Sequence, residues 1–275
     1  MVGALEYGRA QMTDHSYLLD NAWREGRARL DAVEEFLDAG TIALMERRGV
    51  GEGWTCLEVG AGGGSIAKWL AFRVGAAGRV IATDLDTRHL VEIAGLANVE
   101  VRRHDIVADT LPDSQFDLVH ARLVLEHLPG RDEVLRKLAG ALKPGGWLLI
   151  ESVDYASAIA VSERGAQEHM RSQAARLRAF EASGVDANYG RRLPRAFREA
   201  GLVEIGNEGR VFVMEGGSPG ARWFELSMRQ LRQRLAGEGR IRDAEIDRML
   251  ELFADPDWAA LSPIVMACWG RARPA

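Results

Sequence analysis

The sequence predicts an α/β fold in which a parallel β-sheet is covered by helices on both faces. From about residue 55 to residue 154, short apolar runs alternate with longer segments whose apolar residues recur at helical spacing. A glycine-rich turn, Gly60 to Gly64, joins the first apolar run directly to the helical segment that follows. Strands that alternate with helices in this way require right-handed crossovers, which place helices on both faces of a parallel sheet.

The length and net charge of the chain limit the classes of protein to which it can belong. A chain of 275 residues, 47% of them hydrophobic, is long enough for one globular domain with a sizeable core and insertions. Its net charge of −5 at pH 7 argues against a nucleic-acid partner, because phosphate binding requires a basic surface. No apolar run of membrane-spanning length and no secretory leader stand out, so we expect no membrane partner and a cytoplasmic location. Cys56 and Cys268 lie in apolar runs, where buried free thiols are expected.

The predicted elements begin with an amphipathic helix over residues 24–48, which ends at the glycines of the run GVGEGW. Apolar runs then predict strands over residues 55–59, 79–83, 99–103, 116–120 and 147–152. The periodic segments between them predict helices over residues 65–72, 87–96 and 131–142.

After residue 153 the alternation gives way to longer helical segments. Helices are predicted over residues 156–183, 193–200, 222–235 and 244–253. Strand-like runs cover residues 202–205, 210–214 and 263–269. We interpret the chain as one structural domain. A helical lid or cap covers residues 1–50, and a core over residues 51–275 carries helical insertions near 156–186 and 217–255.

The glycine turn and the acid after the second strand form the first candidate site. Glycines adopt positive φ angles and let a backbone approach a ligand closely, and the helix that begins near Ser65 directs free N–H groups to the same place. Asp84 follows about 20 residues later, where a carboxylate accepts hydrogen bonds from both hydroxyls of a ribose. The alternatives are a turn without a ligand, a dinucleotide site, from which the third glycine is missing at Ser65, and a helix cap, a role that Asp86 or Thr87 fills better.

A further acid follows the third predicted strand. Asp105 ends this run in the segment VRRHDI and would lie along the same edge of the sheet, beside Ile106. An acid that accepts from an exocyclic amine, next to an apolar side chain that packs against a ring, suits an adenine. A solvated turn aspartate is the equally plain alternative.

Five segments in register resemble one family. They are LEVGAGGGSIAKWLA, GRVIATDLD, RRHDI, FDLVHARLVLEHLP and ALKPGGWLLIESVD. Their order and spacing resemble those of the class I S-adenosylmethionine-dependent methyltransferases, and especially the ubiquinone and menaquinone C-methyltransferase group, over residues 55–154. Much of the resemblance lies in LKPGG, a turn before the fifth strand that has no role in a nicotinamide dehydrogenase.

The resemblance implies a Rossmann-like sheet of seven strands in the order 3-2-1-4-5-7-6, with strand 7 antiparallel and formed by residues 263–269. It also implies S-adenosylmethionine as the methyl donor and S-adenosylhomocysteine as its product. The implied donor contacts are Glu58, Gly60, Ala61 and Gly62 at the methionine portion, Asp84 and Leu85 at the ribose and adenine, Asp105 and Ile106 at the adenine, and the backbone of His120, Ala121 and Arg122 at the amino-acid end. Gly64 extends the glycine pattern, and we expect it only to loosen the turn.

Two further groups of residues are candidates for the reaction itself. His15, Tyr17 and Trp23 could form an N-terminal lid that excludes water from the donor, with Tyr17 the best candidate for direct contact. His127 lies just after the fourth strand, where a general base could reach an acceptor, although a structural role in that loop is equally compatible with its position. We expect no metal site.

The predicted methyl acceptor is a small, partly apolar molecule. Trp223, Phe224, Met228 and Met249 could line its pocket, but the buried stripes of two helices explain them as well. One of Glu151, Asp154 and Tyr155 could touch the acceptor. His169 and the arginines between residues 171 and 198 are interpreted as a solvated helical face.

Several questions remain open at this level. The arginine- and alanine-rich composition suggests a specialised-metabolite pathway, but an oxygen, nitrogen or carbon acceptor and a homo-oligomer are all compatible with the sequence. Two alternatives to methyl transfer are a cyclisation or rearrangement that keeps the donor bound, and a non-catalytic sensor of an adenosyl ligand. The acids Glu58, Asp84 and Asp105 weigh against the sensor.

Overall fold

The structure is a computed structural model that describes residues 18–237 and 239–275. Its helices are α1 Gly26–Arg47, α2 Ser65–Val74, α3 Val91–Ala94, α4 Arg131–Gly140, α5 Ala166–Ala182, α6 Tyr189–Glu199, α7 Pro219–Gly237 and α8 Asp243–Ala254. Its strands are β1 Thr55–Val59, β2 Arg79–Asp84, β3 Val99–Arg103, β4 Phe116–Arg122, β5 Leu142–Asp154, β6 Ile159–Ala160, β7 Val203–Arg210, β8 Val213–Glu215, β9 Ala259–Leu261 and β10 Ile264–Arg271.

The central sheet has seven strands in the order β3-β2-β1-β4-β5-β10-β7. Strands β1 to β5 pair in parallel, whereas β10 runs antiparallel to both of its neighbours. Because β7 and β10 are the sixth and seventh strands of this sheet along the chain, the predicted order 3-2-1-4-5-7-6 is confirmed. The register sets Glu58 beside Ala82 and His120, so the strands β1, β2 and β4 end at one common edge.

The two faces of the sheet bury alternate residues of each strand. Cys56 packs on the face covered by α1 and α2, together with Leu44 and Leu70. Leu57 packs on the opposite face, where α4 and α6 contribute Leu135 and Phe197. Fully burying a leucine side chain contributes about 1.5–3 kcal/mol, so both layers stabilise the sheet. Both cysteines are buried free thiols, as expected, and burial raises the pKa of Cys268 to about 12.

Two elements of the sheet region differ from the prediction. The helix expected over residues 87–96 is a 3-10 turn, Thr87–His89, followed by the single turn α3. Strand β5 begins at Leu142 instead of Trp147, and its register against β4 shifts between Leu142 and Trp147. The LKPGG segment therefore forms an irregular start of the strand, with Gly145 at φ +79°.

The segment after β5 departs further from the prediction. The helix expected over residues 156–183 is wrong in its first ten residues, which form a 3-10 turn, Tyr155–Ser157, and the strand β6. Strand β6 pairs with β9, and β9 pairs with β8, which gives a second sheet of three strands. Strands of two or three residues from distant parts of the chain carry no measurable periodicity, so the sequence could not indicate this sheet.

Helices α1, α5, α7 and α8 pack on one another and form a shared apolar core, which we call the helical cover. This core reaches the carboxyl end of β5 through Val153 and Tyr155. The cover therefore lies beside the edge at which the parallel strands end. Among the helices of residues 18–237 and 239–275, none combines the length and the apolar character needed to cross a bilayer. The cytoplasmic location stays a prediction.

Candidate functional site

The glycine turn after β1 is shaped by close contact with the turn after β4. Gly60 has φ +67°, and a Cβ at this position would lie 2.4 Å from Cγ2 of Val124. Gly64 has φ +91° and immediately precedes α2. The expectation that Gly64 only loosens the turn is wrong, because a left-handed residue at this point lets the backbone enter the helix. Ala61 is fixed by its N–H, which donates to the carbonyl oxygen of Thr83 at 2.9 Å.

Asp84 is tied to the glycine turn by direct hydrogen bonds. The Gly62 N–H donates to Oδ2 of Asp84 at 2.9 Å, and the Asp86 N–H donates to Oδ1 at 3.0 Å. The side chain is partly buried, and this burial raises its pKa from the ordinary aspartate value. Each carboxylate oxygen has a second lone pair, so Asp84 can still accept two hydrogen bonds from a ligand.

Leu85 stands next to Asp84 and is 51% exposed, whereas Ile106 is buried. Oδ1 of Asp105 accepts from the N–H groups of Val107 and Ala108, at 2.9 and 3.3 Å. Oδ1 of Asp105 therefore stabilises the turn that follows β3, and only Oδ2 remains for a ligand. Its predicted contact with adenine is neither supported nor contradicted by these bonds.

A buried group of charged side chains lies below the ends of β1, β4 and β5. His120 is fully buried, with Nδ1 2.7 Å from Oε2 of Glu58 and Nε2 3.3 Å from Oε2 of Glu151. Glu151 also accepts from the Thr41 hydroxyl at 2.6 Å and pairs with Arg210. The side chain of His120 thus points inward, and only its backbone can face the edge of the sheet. Glu151, predicted among the acceptor-side residues, holds β5 to α1 and β7.

The end of β4 is pinned to α1. Arg122 donates to the Thr41 hydroxyl at 2.9 Å and to Oδ1 of Asp38 at 2.8 Å, and Ala121 is buried in the sheet. Leu123 follows with φ +58°, a conformation that costs about 1–3 kcal/mol and that tends to occur at ligand sites. No motif indicated this strained residue, which turns the chain at the predicted amino-acid end of the donor site.

His127 and Glu126 lie in a 3-10 turn between β4 and α4, and burial shifts their pKa values in opposite directions. Burial, with Arg29 and Arg131 nearby, lowers the pKa of His127 to about 4, so this imidazole is neutral at pH 7. Burial raises the pKa of the fully buried Glu126 to about 7. The structure leaves the role of His127 untested, but so low a pKa makes it a weak base.

Helix α1 completes the site, a contribution that sequence reasoning missed. Arg27 donates through Nη1 to the Gly63 carbonyl at 2.9 Å and pairs through Nη2 with Glu34 at 3.1 Å. Arg27 and Glu34 lie seven residues apart and therefore on one face of helix α1. This spacing was the only feature of the sequence that could have indicated their role. Asp154, also predicted on the acceptor side, is held by Arg191 at 2.6 and 3.0 Å.

The segment before α1 crosses the same edge. Nε2 of His89 lies 3.1 Å from the Asn21 carbonyl oxygen, and Gln230 donates to the Asp20 carbonyl at 2.8 Å. The segment thus links the turn after β2 to α7, with Trp23 partly exposed on it. The predicted contacts from His15 and Tyr17 lie outside the described residues.

A surface groove of about 680 Å³ lies away from this edge. It is lined by Phe72, Gly75, Arg79, Asn98 and Glu100, among others, at the amino-terminal ends of β2 and β3. None of the predicted site residues lines it, so it is not the predicted donor site.

Residues 57–150 match the family described as "Methyltransferase domain". This third of the chain is thus similar to a methyltransferase domain. The matched residues include the glycine turn, Asp84, Asp105 and the end of β4, so the methyltransferase domain coincides with the predicted site. The segments before and after it, including the helical cover, fall outside the match.

Named relatives and solved structures share parts of this domain. Methyltransferase str2 from Strobilurus tenacellus is 31% identical over 169 residues, which are 60% of this chain and 59% of that protein. The ubiquinone/menaquinone biosynthesis C-methyltransferase UbiE of Pseudomonas fluorescens is 28% identical over 45% of this chain and 53% of that protein. These matches confirm the resemblance to that group, although the chain spans little more than half the length of either relative.

The structure of Haemonchus contortus phosphoethanolamine N-methyltransferase 2, solved with phosphomonomethylethanolamine and S-adenosylhomocysteine, is similar to this fold. The TM-score is 0.57 at 17% identity, over 96% of this chain and 61% of that one. At this identity the likeness shows the shared class I fold.

Proposed function

We propose that this protein transfers a methyl group from S-adenosylmethionine to a small, partly apolar molecule. The observation that carries the proposal is the link between Asp84 and the glycine turn. The Gly62–Asp84 hydrogen bond brings a carboxylate with free lone pairs beside a turn whose glycines carry no side chains of their own. The match to a methyltransferase domain over the same residues supports it.

The residues present fit the donor. A Cβ at Gly60 would collide with Val124, so the turn can be this tight only with glycine at that position. Asp84 can accept from the two ribose hydroxyls, and the exposed side chain of Leu85 offers an apolar surface to the adenine. Oε1 of Glu58 accepts no hydrogen bond from the described part of the chain, so it is available to the ammonium group of the methionine portion.

When bound, S-adenosylmethionine supplies an electrophilic methyl group and a neutral thioether as leaving group. The protein has to align the acceptor and exclude water, and such alignment can contribute about 7–11 kcal/mol. The segment over residues 18–25 and helix α1 lie across the edge, and we assign to them the lid or cap role predicted for residues 1–50. A general base is needed only for an acceptor that is protonated at the working pH.

The acceptor side of the site supports a small molecule. The helical cover lies beside the carboxyl end of β5, and the net charge of −5 does not favour a polyanionic polymer. We infer a specialised metabolite, as the composition suggests, and a screen of such compounds with S-adenosylmethionine should find one that gains the mass of one methyl group. Neither an oxygen nor a nitrogen nor a carbon acceptor is favoured by these residues.

Calorimetric titration of S-adenosylmethionine tests the donor site. Asp84→Asn keeps the shape of the side chain but lacks a charged acceptor, and we expect affinity to fall by about 1.5–3 kcal/mol, or roughly tenfold to a hundredfold. Asp113→Ala is the matched control, since this exposed aspartate lies in the loop before β4, at the opposite edge of the sheet.

The conservative substitution is necessary because Asp84 also holds the glycine turn. The side chain is partly buried and accepts two N–H groups, of which asparagine can still accept one through its oxygen and alanine none. Unchanged affinity in a folded Asp84→Asn protein would contradict the assignment. Stoichiometric S-adenosylhomocysteine would show methyl transfer, and a rearranged product without it would show the cyclisation alternative.

A further inference from the structure

The buried face of α5 is polar where an apolar stripe is expected. Its first eleven residues include His169, Ser172, Gln173 and Arg176, which are buried against the rest of the helical cover. The interpretation of His169 and the nearby arginines as a solvated face is therefore wrong for His169 and Arg176. Packing alone does not explain this face, because leucine or valine would fill it without desolvating polar groups.

Arg176 is 6% exposed and has no carboxylate partner among residues 18–237 and 239–275. Its Nη2 donates to Oε1 of Gln173 on the preceding turn, and its buried Nε has no hydrogen-bond partner in that part of the chain. The guanidinium stacks on the ring of Phe224 at 4.2 Å and lies 5.4 Å from the ring of Tyr155. Neither ring takes the place of a carboxylate, so Nε remains available for a hydrogen bond to a ligand.

A buried cation without a carboxylate partner destabilises the folded state. Removing a charged group from water costs several kcal/mol, and buried charges in proteins are normally paired. Burial lowers the pKa of Arg176 to about 10, which still leaves the guanidinium charged at pH 7. Within the described part of the chain, both ring nitrogens of His169 and Nε1 of Trp258, in the same region, also have no hydrogen-bond partner. An unpaired cation and unpaired ring nitrogens together indicate a polar ligand.

Arg176 lies on the acceptor side of the sheet edge. Its neighbour Tyr155 comes directly after β5, and the ring of Tyr155 packs edge-on against Phe180 at 4.9 Å. Phe180 in turn lies 6.4 Å from the ring of His127, in the turn after β4. A continuous row of rings therefore connects Arg176 to the end of the strand next to the glycine turn.

We propose that Arg176 binds a carboxylate of the methyl acceptor, which is an apolar molecule with a single negative charge. One guanidinium balances one charge, and its planar edge matches a carboxylate in a bidentate pair. A phosphate monoester would bring a charge between −1.5 and −2 that this single cation cannot balance. The identification of this carboxylate as part of the acceptor rests on the proposed function, whereas the anion site itself does not.

Small probes of matched shape test the proposal on the native chain. Phenylacetate, cinnamate and decanoate are titrated into the protein saturated with S-adenosylhomocysteine, and calorimetry measures their binding. Their uncharged primary amides and phenyl phosphate are titrated in parallel. We expect at least one carboxylate to bind about tenfold or more tightly than its amide. Equal binding of acid and amide, tighter binding of phenyl phosphate, or no binding of any carboxylate would overturn the proposal.

Variants of Arg176 test the residue. Arg176→Met keeps the apolar stem and should abolish the preference for the acid over the amide, whereas Arg176→Lys keeps the charge and should retain part of it. Arg178→Met, an exposed position on the same helix, should behave as the native chain. An unchanged preference in Arg176→Met would overturn the assignment. If Arg176→Met does not fold, the ratio of acid to amide affinity is compared between the native chain and Arg176→Lys. An unchanged ratio in Arg176→Lys together with equal binding of acid and amide to the native chain would overturn the proposal.

Binding of S-adenosylhomocysteine is measured first in the same samples. Failure of this binding, with carboxylate binding that still depends on Arg176, would contradict the proposed function and leave the anion site standing. Donor binding without any preference for acids would overturn the anion site and leave the methyl transfer standing.

Discussion

The donor edge and the helical cover are built in different ways. The proposed donor edge, residues 60–64 with Asp84, Leu85 and Asp105, uses backbone amides and carboxylates that come from strand ends and remain partly exposed. The helical cover buries His169, Arg176 and Trp258 among aromatic rings. A change at the donor edge should therefore alter ligand binding more than folding. A change among the buried charges should alter folding first.

The largest expected effect lies at Glu151, where the cover meets the sheet. Glu151→Ala leaves His120 and Arg210 without their shared carboxylate, and breaking a buried ion pair from one side costs about 3–5 kcal/mol. Chemical denaturation measures the loss in free energy of unfolding. Glu251→Ala is the control, because Glu251 pairs with Arg248 at the surface and its loss should cost less than about 1 kcal/mol. Similar losses in the two variants would remove the distinction between buried and exposed charges.

The next effect is a pH dependence that comes from Glu126. Its pKa is raised from 4.5 to about 7 by burial, so between these values the folded chain binds more protons than the unfolded chain. Stability should therefore decrease as the pH rises from about 4.5 to 7, by about 1–3 kcal/mol. The glutamine of Glu126→Gln cannot titrate, so this variant should not lose stability between pH 4.5 and 7 for this reason. Its free energy of unfolding should therefore rise with pH relative to that of the native chain.

Denaturant titrations between pH 4.5 and 8 measure this difference. A constant offset between Glu126→Gln and the native chain at every pH would show that Glu126 titrates normally in the folded state.

The smallest effect is expected at Leu85. Leu85→Ala should change the free energy of unfolding by less than about 0.5 kcal/mol, because the side chain is half exposed. It should weaken donor binding by about 1 kcal/mol, roughly fivefold, since the adenine loses its apolar surface. Val91→Ala, at a residue that is 76% exposed and lies in α3, should change neither quantity. A Leu85→Ala protein with native donor affinity would show that Leu85 does not pack against the adenine.

The donor edge was predictable because its signals are local. Residues 55–59 and 99–103 were predicted with the observed bounds, because the glycine turn and the acid that follow them mark where each strand ends. Asp84 was predicted as a site residue because it directly ends a strand. The match to a methyltransferase domain covers this same part of the chain.

The cover could not be predicted in the same way. The bond from Thr41 to Glu151 joins residues 110 apart, and the bond from Gln230 to Asp20 joins residues 210 apart. The arginine pattern of α5 resembles that of a solvated helix, and only the packing of Phe224 and Tyr155 against it shows that Arg176 is buried. Burial of a polar residue is set by distant parts of the chain, which no local pattern reports.

A crystal structure of the protein grown with S-adenosylhomocysteine tests the central claim most directly. We expect both ribose hydroxyls within hydrogen-bonding distance of the Asp84 carboxylate and the adenine against Leu85. Density for the nucleoside in the groove beside Phe72, or a vacant donor edge at saturating ligand, would contradict the account.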